Sequence, residues 1–205
     1  MVSDAYRFVV PLLAFALLAL YLNWLWFFGL FLALAMFVCY FFRNPKRTIP
    51  AGERLIVSPA DGRIVQIAAL PERDGERGGY AISIFLSVFD VHVNRSPIAG
   101  ELERLEYRRG RFKPAYDDVA SSLNEQNVLT IRGNGNSLVV KQIAGLIARR
   151  VICWKKPGAK MERGELIGLI RFGSRVDLLL PRQVRVLVKV GDRVKGGSSI
   201  IGEFA

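Results

Sequence analysis

A stretch of 35 residues, 8 to 42, carries no formally charged side chain; Arg7 precedes it and Arg43 ends it. Such a segment needs lipid around it, which excludes a freely soluble chain. A bilayer core takes about 20 helical residues, so the segment is long for one upright helix and short for two full spans. Asn23 lies near its middle, in Tyr21-Leu22-Asn23-Trp24-Leu25-Trp26, where the three aromatic residues suit a membrane interface. Two arrangements fit: a helical hairpin broken at Asn23, or one long tilted helix. Arg7 at one end and Arg43, Lys46 and Arg47 at the other favour the hairpin, with both ends on the cytoplasmic side. A cleaved signal peptide fits poorly, because Phe41-Phe42-Arg43-Asn44-Pro45 has no small-residue cleavage site.

Residues 1–42 sum to zero charge, so the whole +11 falls on residues 43–205. The expected division is a membrane anchor over 1–45 and one domain over 46–205, of a length that suits a single core. A basic domain tethered to a membrane is drawn to the anionic inner leaflet. Tethering argues against nucleic acid, the other partner such a charge would suit. Cys39 lies in the apolar segment and Cys153 far from it, so no disulfide framework is expected. With His92 the only histidine and no clustered thiols, no metal site is expected either.

After Pro50 the pattern becomes one of short alternating runs separated by Gly, Asn and Pro turns such as Gly133-Asn134-Gly135-Asn136. Strands are predicted over 64–69, 80–87, 98–107, 128–132, 138–143, 146–154, 166–172, 176–180 and 184–190, with one short helix over 115–123. The fold class is mostly β. Residues 157–168 are echoed by 190–202, each a glycine turn followed by an apolar run. Two such units facing each other resemble the barrel-sandwich of lipoyl and biotinyl carrier domains, with Ser58-Pro59-Ala60-Asp61-Gly62-Arg63-Ile64-Val65 as a third, looser copy. No lysine sits at a tight hairpin tip, so the carrier function is not implied.

Three segments are candidates for chemistry, and each has a plain structural alternative. Phe172-Gly173-Ser174-Arg175 reads as a Gly-Ser turn between strands. His92, in Asp90-Val91-His92-Val93-Asn94, ends an apolar run where a lone histidine is usually structural. Asp61 suits a turn aspartate bonding its own backbone.

Taken together, the order and wording of these segments resemble the short-form, pyruvoyl-dependent phosphatidylserine decarboxylases. The similarity runs from the apolar N-terminus and Phe42-Arg43-Asn44-Pro45 through Ser58-Pro59-Ala60-Asp61-Gly62 and Asp90-Val91-His92-Val93-Asn94. It continues through Gly110-Arg111-Phe112-Lys113-Pro114-Ala115 and Asn124-Glu125-Gln126-Asn127 to Phe172-Gly173-Ser174-Arg175-Val176. The resemblance implies a proenzyme that cuts itself between Gly173 and Ser174 into 1–173 and 174–205. Ser174 becomes a pyruvoyl group, the electron sink for converting phosphatidylserine to phosphatidylethanolamine, or for the same chemistry on archaetidylserine in an archaeon. It also implies His92 as the base and later the proton donor, with Asp61 orienting it. The longer bacterial branch has a second histidine where Arg95 stands here, so His92 serves both steps or Asp90 or water takes one. Arg95, Arg111 and Lys113 are candidate partners for the lipid phosphate, with solvated surface cations as the alternative. The two cleavage fragments remain partners, and decarboxylases of this sort often pair as homodimers. Two other classes compete: a membrane-anchored adaptor with a lipoyl-like domain, and a basic lipid-binding module whose Gly173-Ser174 bond stays whole. The adaptor would want a heptad coiled-coil hairpin, and no heptad run is present.

Overall fold

Two Leu-, Ala- and Phe-rich segments, charged only at Arg7, form helices, α1 (Tyr6–Tyr21) and α2 (Leu25–Phe41). Between them the chain reverses at Asn23, whose φ of 59° an asparagine tolerates better than most residues. The reversal brings the Phe15 and Phe31 rings to 5.6 Å, and the Val2 N–H donates to the Phe42 carbonyl at 3.1 Å. The helical stretch Ser3–Tyr21 is long and apolar enough to cross a membrane; Leu25–Phe41 is apolar and shorter. Tyr21, Trp24 and Trp26, at the reversal, are exposed.

The computed structural model describes residues 1–72, 78–113, 120–133, 135–146, 150–171 and 173–205. It divides into two units, Met1–Lys46 and Arg47–Ala205. The second unit is built of strands: β1 (Leu55–Val57), β2 (Gly62–Leu70), β3 (Gly79–Leu86), β4 (Val93–Arg95), β5 (Gly100–Arg108), β6 (Gln126–Gly133), β7 (Asn136–Ala144), β8 (Val151–Cys153), β9 (Lys160–Met161), β10 (Leu166–Ile170), β11 (Ser174–Pro181), β12 (Val184–Val186), β13 (Arg193–Val194) and β14 (Ile200–Phe204). Eight of them form one curled antiparallel sheet in the order β13-β2-β3-β11-β7-β6-β5-β9. Two three-stranded sheets, β1-β14-β12 and β4-β10-β8, complete the unit. The core is one cluster that includes Ile64, Ile84, Leu86, Leu129, Val140, Ile170, Val176 and Ile201.

The mostly β fold agrees with the alternation in the sequence. The run over 146–154 is shorter than expected, with β8 confined to Val151–Cys153 and residues 147–149 outside the described residues. Of the helix over 115–123, Ala120–Leu123 is helical and 115–119 lie outside the described residues, as does Asn134 of the predicted turn.

The internal echo has a clear structural meaning. Its two copies supply β9 and β13, which lie at opposite edges of the eight-stranded sheet. The Ser58-Pro59-Ala60-Asp61-Gly62 segment is not a third copy of that echo. It is twinned with Ser96-Pro97-Ile98-Ala99-Gly100. Gly197 N–H donates to the Ser58 carbonyl and Gly164 N–H to the Ser96 carbonyl, both at 2.8 Å. Ser58 Oγ donates to the Ala60 carbonyl and Ser96 Oγ to the Ile98 carbonyl, both at 2.7 Å. The twins also meet: Arg95 N–H donates to the Pro59 carbonyl and Val57 N–H to the Pro97 carbonyl. The unit is thus two similar half-frames locked together, each a Ser-Pro turn held by one glycine turn of the echo.

β11 is the central strand of the large sheet, bonded to β3 over its whole length and to β7 from Ser174 to Leu179. Alternation puts Ser174, Val176, Leu178 and Leu180 on the core face and Arg175 and Asp177 on the other. Arg175 and Asp177 are nonetheless buried. Arg175 Nε donates to Asp177 Oδ1 at 2.6 Å, and its Nη2 donates to Ser83 Oγ at 2.7 Å and to Gln66 Oε1 at 3.3 Å. Removing one partner of such a pair leaves a buried charge uncompensated, whereas replacing both with apolar groups does not. Asp177→Ala should therefore cost about 3–5 kcal/mol, and the Arg175→Met, Asp177→Leu double variant clearly less. Urea unfolding of the full chain in detergent micelles checks this.

Candidate active site

Arg171 and Gly173 lie between β10 and β11, and Phe172 lies outside the described residues. Gly173 has φ 60°, the left-handed region that glycine enters without steric cost. A Cβ at Gly173 would meet no atom of the described residues within 4 Å, so none of them crowds its backbone on that side. Ser174, directly after it, is fully buried and pairs with Leu86 of β3 and Ala144 of β7. Its Oγ has no hydrogen-bond partner among the described residues. A buried hydroxyl without a partner is costly, which marks the position as more than a turn.

His92 reaches the same end of the sheet. It is fully buried just before β4, and its carbonyl accepts from Ile170 N–H, four residues before Ser174. The turn that leaves β3 beside Ser174 sets the ring. Asp90 Oδ2 accepts from the Ser87 N–H at 2.8 Å and from Ser87 Oγ at 2.7 Å. His92 Nδ1 then lies 2.9 Å from the Asp90 carbonyl oxygen. A carbonyl can only accept, so Nδ1 carries the proton, and in the neutral ring Nε2 keeps its lone pair. That tautomer is the one a proton acceptor needs.

Asp61 was expected to orient His92, and the structure gives it different bonds. Its carboxylate accepts from Arg47 Nη2 at 2.9 and 2.7 Å and from the Gly196 N–H at 2.8 Å. Among the described residues His92 is not one of its hydrogen-bond partners; the Asp90 carbonyl holds the ring instead. Burial pushes the Asp61 carboxyl above its ordinary value, against the opposing pull of the Gly196 N–H and Arg47. Nor is Asp61 the plain turn aspartate of the alternative reading. Ser58 Oγ bonds the turn, and its twin does the same work with Ala99 at the corresponding place. Asp61 ties Arg47 and Gly196, which stand 149 residues apart in sequence, to one loop.

The cationic candidates divide. Arg95 is half-buried: its Nη1 donates to the Gly164 carbonyl at 2.8 Å, and its stem packs against Gly197. Burial lowers its pKa, and Arg47 nearby lowers it further. Arg111 is exposed and Lys113 largely so. Asn124 brings their backbone to the sheet, accepting from the Lys113 N–H at 2.9 Å and donating to the Lys113 and Ala144 carbonyls, both at 2.8 Å. Ala144 is the residue paired with Ser174, so the segments around 111–113 and 124–127 converge on the Ser174 end of β11. Pro114 and Ala115 lie outside the described residues.

Three residues to which the sequence assigned no part in the site belong to this neighbourhood. Arg47 pairs with Asp61. Gln142 and Asn94 are fully buried amides joined by a 2.8 Å hydrogen bond from Gln142 Nε2 to Asn94 Oδ1. A signal existed for Gln142, a lone amide at an inward position of the Leu138–Ala144 alternation. Among the described residues no group of three or more His, Cys, Asp or Glu side chains could hold a metal ion.

Comparison with known proteins meets this geometry from the other side. Residues 34–202 match the family model described as phosphatidylserine decarboxylase. The phosphatidylserine decarboxylase proenzyme of Symbiobacterium thermophilum is 46% identical over 205 residues, covering 98% of this chain and 94% of the relative. That of Carboxydothermus hydrogenoformans is 43% identical, covering 100% of this chain and 96% of the relative. That of Solibacter usitatus is 51% identical over 168 residues, covering 82% of this chain and 78% of the relative. With a family model spanning residues 34–202 and near full-length relatives at this level of identity, the chain belongs to the phosphatidylserine decarboxylase family.

Proposed function

We propose that this chain is a proenzyme that cuts its backbone between Gly173 and Ser174, converts Ser174 to a pyruvoyl group, and decarboxylates phosphatidylserine to phosphatidylethanolamine at a membrane surface. The observation that carries the reading is Ser174 Oγ itself: buried, without a partner among the described residues, at the first residue of a central strand and directly after a glycine at positive φ. The relatives are named proenzymes over nearly the full length of this chain, which leaves the adaptor and lipid-binding alternatives without support.

In self-cleavage, His92 Nε2 takes the Ser174 Oγ proton and Oγ adds to the Gly173 carbonyl carbon. The Gly173–Ser174 C–N bond breaks as the nitrogen takes a proton, leaving an ester through the Ser174 side chain. Loss of the Ser174 Cα proton expels the Gly173 carboxylate and leaves a dehydroalanine. Its enamine tautomerises to an imine, and water converts that to a keto group with release of ammonia. No oxidant or reductant enters. The site suits the product, because the Cβ that carried a buried hydroxyl without a partner among the described residues becomes the apolar methyl of the pyruvoyl group. When present, the pyruvoyl group supplies an electron sink for loss of carbon dioxide from an amine-bearing carbon.

The chain's own residues bind, orient and move protons around that group. Pairing of β11 with β3 and β7, of β13 with β2 and of β14 with β1 keeps 174–205 in place after the cut. His92 returns a proton to the substrate α-carbon, with its ring held through Nδ1 by the Asp90 carbonyl. Asp61 acts as a positioning residue: it braces the loop whose Pro59 carbonyl accepts from Arg95 N–H, three residues beyond His92. Arg111 and Lys113 are the exposed cations for the lipid phosphate, with Arg95 a more buried contributor. The apolar helical unit serves as the anchor, the β unit lies on the cytoplasmic face, and the basic surface is drawn to anionic lipid.

Ser174→Ala should give a folded, uncut chain with no decarboxylase activity; a Ser174→Ala protein that still releases carbon dioxide from phosphatidylserine would overturn the mechanism. His92→Ala should likewise remain uncut on denaturing gels, and cutting at the wild-type rate would transfer the base to another group. Asp61→Asn keeps an acceptor for Gly196 but loses the charge facing Arg47. Self-cleavage should slow about tenfold, equivalent to about 1.4 kcal/mol in the barrier, as read from the time course of the uncut band.

A further inference from the structure

Three side-chain amides form a buried row that runs from β6 through β7 to β4. Asn127 Nδ2 donates to Gln142 Oε1 at 3.1 Å, and Gln142 Nε2 donates to Asn94 Oδ1 at 2.8 Å and to the Ile152 carbonyl at 3.4 Å. The Ile152 carbonyl fixes the direction of the row. It can only accept, so Gln142 presents Nε2 there, and Asn94 must turn its oxygen toward Gln142. The Asn94 amide nitrogen therefore faces the other way. It is fully buried and has no hydrogen-bond partner among the described residues.

Register puts this donor at the reacting end of the sheet. Ala144 is paired with Ser174 and Gln142 with Val176, so Gln142 and Ser174 are diagonal neighbours on the same face of β11 and β7. Such neighbours stand about 7–8 Å apart, within reach of a long side chain and its hydrogen-bond partner. Asn94 is two residues beyond His92. It pairs with Gly168 of β10, the strand that leads into Gly173. Two buried polar groups without partners among the described residues, Ser174 Oγ and Asn94 Nδ2, thus stand at one end of one core beside His92.

We propose that Asn94 Nδ2 is the hydrogen-bond donor for the negative charge that develops on the Gly173 carbonyl oxygen during self-cleavage. The assignment rests on the reading of the chain as a self-cleaving proenzyme. A donor that is fixed by its neighbours and has no resting partner among the described residues is complementary to a charge that exists only in the transition state. When Ser174 Oγ adds to the Gly173 carbon, the C=O bond opens, its electron pair goes to the oxygen, and the Ser174 proton goes to His92. The charge on that oxygen is what the Asn94 amide receives. As the C–N bond breaks, the carbonyl re-forms and the donor is released. Gly173, at positive φ and without a crowded Cβ position, has the freedom to turn its carbonyl toward the amide.

The test uses full-length chains made by cell-free synthesis with vesicles of phosphatidylethanolamine and phosphatidylglycerol, the uncut band being followed in time. Asn94→Asp keeps the acceptor that faces Gln142 and replaces the donor. Asn94→Leu has nearly the same shape and no polar atom to bury, so it keeps the test open if Asn94→Asp fails to fold. Either variant that melts as the wild type does should cut about 100- to 1000-fold more slowly, as expected for loss of one donor to an oxyanion. Hydroxylamine, which attacks an ester and spares an amide, should release no early burst of fragments, because the variants lack the acyl shift itself. Cutting at the wild-type rate, or a hydroxylamine-released burst showing that the ester forms and then stalls, would overturn the proposal. A wild-type chain that stays whole would instead overturn the self-cleavage reading on which it rests.

Discussion

The pairing of β11 on both sides is the constraint on which the rest of this structure depends. Ser174 is gripped through its backbone by Leu86 and Ala144, while the residue before it sits outside the sheet at positive φ. One side of the Gly173–Ser174 bond is therefore fixed by the sheet, and the other is a glycine, whose backbone is the least restricted of any residue. This is the asymmetry an intramolecular attack needs, since a fixed nucleophile meets a carbonyl that can be brought to it. The same pairing would keep a 174–205 fragment in the sheet after cleavage, with the buried Arg175–Asp177 pair anchoring the start of the strand to Ser83 and Gln66.

The frame around this strand is a doubled one. Two Ser-Pro turns, each held by a glycine turn of the echo, make the same hydrogen bonds at the same distances. The halves differ in their polar residues. One half carries Asp61 against Arg47 and Gly196, and its twin carries Ala99. Ser96-Pro97 is preceded by Asn94 and Arg95, whereas Ser58-Pro59 is preceded by the apolar Ile56 and Val57. A symmetric scaffold supplies stability, and the departures from symmetry carry the polar groups.

Much of this was legible in the sequence because it is written in local pattern. The uncharged 8–42 stretch, broken at Asn23, is two helices, and the alternation of β7 and β11 appears directly as apolar residues two apart. The Gly173-Ser174 turn was legible as a turn, and its distinction came from resemblance. Other features depend on contacts between distant residues, which no local pattern encodes. Arg47 finds Asp61 across 14 residues and Gly196 finds it across 135. The twin of Ser58-Pro59 was missed because its third and fourth residues, Ile98 and Ala99, share nothing with Ala60 and Asp61 except backbone shape. The role that resemblance gave to Asp61 takes the shortest route between an acid and a histidine. The turn from Ser87 to Asp90 fills that place with a backbone carbonyl, a partner that side-chain identity cannot reveal.

Under the proposed self-cleavage, Ser174 becomes the first residue of a separate fragment and loses its nitrogen. The denatured intact mass of the purified full-length protein tests it most directly. Two species that meet at Gly173 and Ser174 are expected, the smaller lighter than a serine-initiated 174–205 peptide by the mass of one ammonia. A single species at 22.9 kDa, or a smaller fragment with an unmodified serine at its start, would contradict it.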